Sequence, residues 1–247
     1  MVTYVLIHGA GSDSWYWHRV IPELRALGHD VVAPDLPCDD DTAGFCDYAD
    51  VVVDAIGDRT GLIVVAQSLA GFTAPLVCDR VPADLLVLLA AMVPSPGESG
   101  FDWWANTGHA DAMLEQAARG DRGDRESRDS RGDRATDGGF DVMEMFFHDA
   151  PPDVVAEAMA RGERRQSGAV FVETWPLTQW PDVPTRFLLC RDDRFFPAEF
   201  QRRVVKERLG ITPDEMDGGH LPALSHPKEL VDRLEAYRTG RPYPSVR

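Results

Sequence analysis

Several short runs of this chain are apolar at every position rather than at alternate ones. Residues 3–7 (Thr-Tyr-Val-Leu-Ile), 62–65 (Leu-Ile-Val-Val), 85–93 and 185–190 are rich in strand formers, and each ends at a turn-forming residue. A strand that is apolar on both faces has to be covered on both faces, which confines it to the inside of a parallel sheet. A further strand is read over 29–35, closed by Pro34. Between these runs the apolar spacing turns helical, as in Val20, Ile21, Leu24 and Leu27 of 17–27, which stops at Gly28. Helices are also predicted over 48–56, from the end of the 62–65 strand to about 81, and over 197–209 and 227–237. Strand alternating with helix predicts an α/β fold with a doubly wound, mostly parallel sheet. The chain has 247 residues, 44% of them hydrophobic, enough for one large domain with an insertion.

The alternation lapses over residues 95–180. The expected division is therefore a core of residues 1–94 and 181–247, interrupted by an insertion over 95–180. Within it a helical patch is read over 152–161. Residues 119–139 hold six Arg, five Asp and one Glu and no large apolar side chain. Such a stretch buries too little surface to order itself, so a mobile loop is expected there.

The net charge of −16, from 25 basic and 41 acidic residues, argues against a nucleic-acid partner and against an anionic membrane surface. The four cysteines, Cys38, Cys46, Cys78 and Cys190, include no CxxC pair. Cys78 and Cys190 sit in apolar stretches and read as buried thiols. No apolar run reaches membrane-spanning length, and the N-terminus enters a strand at once without a leader, so a cytoplasmic location is expected.

The chemistry is announced by Ala66-Gln67-Ser68-Leu69-Ala70-Gly71, directly after the strand at 62–65. A buried strand that breaks into a helix through a small-x-Ser-x-small turn lifts the serine hydroxyl clear of the backbone, as in a nucleophile elbow. Alanines stand where that motif usually has glycines. Such a serine needs a base, and the base needs an orienting acid. Asp193 follows the strand at 185–190, four residues ahead of Pro197, and His220 follows Gly218-Gly219. All three would lie at the carboxyl ends of strands, where open parallel sheets gather their sites. Asp192 and Asp217 are rivals for the acid, and His226 is the rival base. An acyl-transfer intermediate also needs preorganised N–H donors. The small residues of His8-Gly9-Ala10-Gly11 suit that purpose, so the amides of Ala10 and Leu69 are the expected oxyanion donors.

Taken together, these motifs resemble the α/β-hydrolases. The narrower resemblance is to the branch that includes small bacterial esterases, plant hydroxynitrile lyases and plant methyl-salicylate esterases. The residues that carry it are Val5-Leu6-Ile7-His8-Gly9-Ala10, the run from Gly28 to Pro37, the elbow, Asp193 with Pro197, and Gly218-Gly219-His220 followed by Leu224-Ser225-His226-Pro227. The resemblance implies a helical cap for the 95–180 insertion and a loop-stabilising role for His8. It also implies a serine hydrolase acting on a small ester through Ser68, His220 and Asp193.

Trp103, Trp104, Phe146, Phe147 and His148 are candidates for the pocket wall, or else dock the cap on the core. Trp17 reads as core, and Trp15 and Tyr16 as rim or core. No metal-ligand spacing, GxGxxG or P-loop is present, so neither metal nor organic cofactor is expected. The expected partner is a small-molecule substrate, and the oligomeric state is open, with a homodimer as one option. Two other functions use the same fold. A hydroxynitrile-lyase reading would need a cation in the site, and the only lysines are Lys206 and Lys228. A small-ligand receptor would bind without turnover.

Overall fold

The computed structural model describes residues 1–127 and 141–241, without the side chains of 119–127. Six strands form one parallel sheet: β1 (Thr3–Ile7), β2 (Asp30–Val32), β3 (Leu62–Gln67), β4 (Ala83–Leu89), β5 (Thr185–Cys190) and β6 (Asp214–Met216). Their spatial order is β2-β1-β3-β4-β5-β6. Every neighbouring pair is parallel, with Leu6 beside Val65 and Val65 beside Val87 in the central register.

The continuous apolar runs are explained by two separate cores. Tyr4, Leu6, Ile63, Val65, Val87 and Leu188 face one side, with α1 (Val20–Ala26) and α11 (Pro227–Thr239). Val5, Ile7, Val64, Leu86, Leu88 and Phe187 face the other, with α2 (Phe45–Ile56), α3 (Ala70–Arg80) and α9 (Ala198–Leu209). Side chains alternate across a strand, so a sheet covered on both faces needs apolar residues at every position. Trp17 is fully buried in the first core.

The expected strand over 85–93 ends early, at Leu89. Ala90 has φ 43°, in the left-handed region that does not continue a strand. Residues 91–93 instead run under the start of α3, where they stay buried.

The insertion is helical: α4 (Gly100–Thr107), α5 (His109–Ser127), α6 (Val142–Phe146), α7 (Pro152–Arg161) and α8 (Ala169–Val172). The backbone of α5 continues through the first residues of the 119–139 stretch to Ser127, so that part is helix and not loop. The remainder of the stretch lies outside the described residues. A short helix, α10 (Pro222–Ser225), leads into α11. Among the described residues no helix is long and apolar enough to cross a membrane.

Candidate active site

Ser68 stands where β3 gives way to α3, with φ 54°. That conformation costs a non-glycine residue about 1–2 kcal/mol, and the surroundings hold it in place. The Ser68 carbonyl accepts from the amides of Gly71 (3.1 Å) and Met92 (2.9 Å), and its own N–H donates to the Leu89 carbonyl at 3.3 Å. The turn demands glycine at Gly71, where a Cβ would overlap the Met92 carbonyl oxygen. Ala66 and Ala70 are small enough to be buried without clash. A Cβ at Gly9 would collide with Gln67 and lie 3.0 Å from the Ser68 Cβ, so glycine there lets the β1 loop close on the serine.

His220 is brought to Ser68 from the end of β6. Gly218 takes φ 108°, which bends the chain ahead of the histidine. The His220 carbonyl accepts from Gln67 Nε2 at 3.1 Å, so the residue before the serine also holds the loop of the histidine. His220 Nε2 lies 3.0 Å from Ser68 Oγ, and Nδ1 lies 2.8 Å from Asp193 Oδ2. A carboxylate can only accept, so Nδ1 carries the proton and Nε2 is the free acceptor facing the hydroxyl. The ring is enclosed by Phe146, Phe195 and Phe196, with centroids 5.5, 5.1 and 4.9 Å away.

Asp193 is 2% exposed. Its Oδ1 accepts from the amides of Phe195 (2.9 Å) and Phe196 (2.8 Å), and its Oδ2 takes the imidazole together with a longer bond from Gln201 Nε2 at 3.4 Å. Its neighbour Asp192 is exposed and accepts instead from the Gly218 amide at 3.3 Å. Asp217 pairs with Arg191. His226 is engaged by Ser225 Oγ at 2.9 Å and stands 3.5 Å from Asp149. Of the sequence candidates, then, Ser68, His220 and Asp193 form one hydrogen-bonded chain and the rivals lie apart from it.

His8 donates from Nδ1 to the Gly9 carbonyl at 2.9 Å and accepts the Leu36 amide on Nε2 at 3.1 Å. It uses both nitrogens to tie two loops together, and burial pushes its pKa down, in keeping with a neutral ring. Ala10 and Leu69 both border the cavity beside Ser68. Among the described residues, neither amide donates to a protein acceptor.

The cavity over Ser68 and His220 measures about 530 Å³. Trp104, Phe146 and Phe147 line it, as do Trp15, Tyr16, Met92, Met143, Phe171 and Phe195. Two expected wall residues do not. Trp103 is 1% exposed and packs on Phe196 and Phe200, with its indole N–H donating to the Val93 carbonyl at 3.0 Å. The Ser99–Asp102 capping box sets the phase of α4. That phase turns Trp103 into the core and its neighbour Trp104, about 100° further round, towards the cavity. His148 lies against Gly219 and borders a separate cleft between α5 and α9. Neither Lys206 nor Lys228 reaches the cavity.

Sequence reasoning passed over two cap residues that touch the core loops. Asp149 Oδ2 accepts the Gly219 amide at 2.7 Å, and Gln166 Oε1 accepts the Gly11 amide at 3.0 Å. Both partners are backbone groups far away in the chain, and no local pattern marks such a pairing. Phe195 had a local signal, since it follows the acid by two residues. Among the described residues no three His, Cys, Asp or Glu side chains converge as metal ligands.

A parallel sheet with a serine on a strained strand-to-helix turn, a late histidine and a buried acid between them defines an α/β-hydrolase architecture. The sequence profile of the alpha/beta hydrolase family matches residues 4–233, and the chain belongs to that family. It is 26% identical over 260 residues to a probable esterase, PIR7A, of Oryza sativa, covering 94% of each chain. To the polyneuridine aldehyde esterase of Rauvolfia serpentina it is 24% identical over 252 residues, covering 94% of this chain and 93% of the other. A crystal structure of polyneuridine aldehyde esterase superposes with a TM-score of 0.74 at 21% identity, over 96% of this chain and 99% of that one. A pyrethroid hydrolase from Sphingobium faniae shares the fold at a TM-score of 0.71 and 22% identity, over 96% and 97% of the two chains.

Proposed function

We propose that this chain hydrolyses small carboxylic esters through an acyl-enzyme formed on Ser68. The observation that carries the reading is the continuous chain Ser68 Oγ, His220 Nε2, His220 Nδ1, Asp193 Oδ2, with links of 3.0 and 2.8 Å. The esterase names of the relatives support the same class of substrate.

Ser68 Oγ attacks the ester carbonyl carbon and passes its proton to His220 Nε2. Asp193 holds the imidazole tautomer and stabilises the imidazolium that forms. The Ala10 and Leu69 amides donate to the oxyanion. As the tetrahedral intermediate collapses, the bond to the leaving oxygen breaks and His220 protonates the departing alcohol. A water molecule then gives its proton to His220, attacks the acyl carbon and releases the acid, and Ser68 recovers its proton. The aromatic and methionine wall suits an apolar acyl or alkoxy group.

The test is labelling with a fluorophosphonate, comparing the wild type with Ser68→Ala, followed by mass mapping. Stoichiometric label on Ser68 in the wild type and none in the variant is the expected result. Folded wild type that takes no label, or a variant that takes as much, would overturn the acyl-enzyme.

A further inference from the structure

The loop that carries Ala10 is fastened residue by residue, and two of its fasteners come from the cap. The Gly9 carbonyl is held by His8 Nδ1 at 2.9 Å. The Gly11 amide donates to Gln166 Oε1 at 3.0 Å. The Ser12 carbonyl accepts from Arg164 Nη1 at 3.1 Å. Ala10 lies between these ties, with its amide free among the described residues.

We propose that Gln166 is a positioning residue: it accepts the Gly11 N–H and so fixes the peptide run that presents the Ala10 N–H to the oxyanion. This rests on the ester-hydrolase reading above. The orientation of the Gln166 amide follows from its partners. Its Nε2 faces the Tyr48 hydroxyl at 3.2 Å and the Ser167 carbonyl at 3.2 Å, which turns Oε1 towards Gly11. Tyr48 is 2% exposed and sits in the core on α2, so the acceptor is anchored in the core even though its chain belongs to the cap. Arg164 secures the same segment, with Nη2 donating to the Leu36 carbonyl at 2.7 Å. Gly11 has φ 59°, and a Cβ there would stand 3.2 Å from the Arg164 carbonyl oxygen, so loop and cap pack backbone on backbone.

The two oxyanion donors are therefore placed by different means. The Leu69 amide is set by the elbow alone, while the Ala10 amide depends on the cap. A donor that drifts is felt in the transition state, where charge develops on the oxygen, and little in the ground state.

The experiment is p-nitrophenyl acetate hydrolysis by the full chain and its Gln166→Leu and Gln166→Glu variants, with inhibition by an aryl trifluoromethyl ketone. That inhibitor forms a tetrahedral adduct with an active-site serine. Gln166→Leu should lower kcat by about 10- to 100-fold with KM within about twofold, and weaken the ketone by the same factor. Gln166→Glu keeps the acceptor oxygen for Gly11 but loses the donor to Tyr48 and Ser167, so its kcat should fall between those of Gln166→Leu and wild type. Should Gln166→Leu fail to fold, Tyr48→Phe takes its place. By removing one of the two partners of Gln166 Nε2 it should lower kcat about threefold at constant KM. A rise in KM at unchanged kcat, a Glu variant as impaired as Leu, or no change in the variant that folds would overturn the proposal. Wild type without any ester turnover would overturn the ester-hydrolase reading itself.

Discussion

The carboxyl ends of the strands and the cap build the two sides of one site by different means. At the strand ends Ser68 is 8% exposed and Asp193 and His220 are each 2% exposed. Each stands on a distinctive local turn: a left-handed residue, an aspartate that folds back on the amides two and three residues after it, and a Gly-Gly bend. On the cap side Phe146, Phe147 and Trp104 are only partly buried. The segment that follows α7 is tied to the core by side chains of Arg164, Arg165 and Gln166 reaching backbone and carboxylate groups more than a hundred residues away. Local geometry tolerates little change and fixes where chemistry takes place. The long-range side-chain ties instead fix how the cap sits over that chemistry and so shape what enters.

The sharpest way to break this contrast is at the acid. Asp193→Asn should cut ester turnover by about ten-thousandfold through loss of the correct imidazole tautomer. Asp192→Asn, one residue away but exposed, should stay within about twofold by the same argument. Steady-state rates of the two variants decide it, and equal losses would mean that the turn presents the wrong carboxylate.

A tryptophan and a phenylalanine of the cap should separate docking from lining. Trp103→Ala removes a buried anchor and should destabilise the fold by about 3–5 kcal/mol in chemical denaturation. Phe146→Ala, half-buried and against the His220 ring, should leave stability within about 1 kcal/mol and instead change the ranking of p-nitrophenyl esters by acyl length.

Within the elbow, Gly71→Ala forces a Cβ into the Met92 carbonyl and should cost about 3 kcal/mol. Ala66→Gly, which restores the more usual glycine, should cost about 0.5–1 kcal/mol through backbone entropy. Thermal melts of both would show whether the close approach lies at residue 71 and not at residue 66.

The smallest effect is expected far from the site, where Tyr4 donates to Glu235 at 2.6 Å and ties α11 to β1. Burial alone would raise the Glu235 pKa. Hydrogen bonds from Arg238 and Tyr4, with the charge of His29, bring it from an ordinary 4.5 down to about 2. A carboxylate whose folded pKa is depressed adds stability above its unfolded value and loses it as pH falls towards the folded one. Stability should therefore decline between about pH 4.5 and 2, and Glu235→Gln should flatten that part of the curve when unfolding is followed against pH.

How much of this was legible beforehand follows the same division. The two-sided sheet could be read because burial on both faces leaves unbroken apolar runs in β1, β3, β4 and β5, with Asp84 and Arg186 confined to the exposed starts of β4 and β5. The hydroxyl, imidazole and carboxylate could be read because each sits at a strand end beside the turn residues that present it. The early end of β4 was not legible, since nothing in Leu85–Val93 marks Ala90 as left-handed; only the packing of residues 91–93 beneath α3 bends it. The extent of α5 was hidden for a related reason, because a charge-rich stretch carries little apolar signal even where its backbone is helical.

Composition, strand pattern and motif spacing by themselves determined the α/β architecture and the short set of candidates at its strand ends, because those depend on interactions close in the chain or repeated along it. Tertiary structure alone decided that Asp193 and not Asp192 reaches His220, and that Trp104 faces the cavity while Trp103 faces the core. It also decided that Gln166 and Asp149 hold amides of the core loops. Each of these turns on a rotation of about one residue or on a partner far off in sequence, and such choices are made by packing, which no local pattern records.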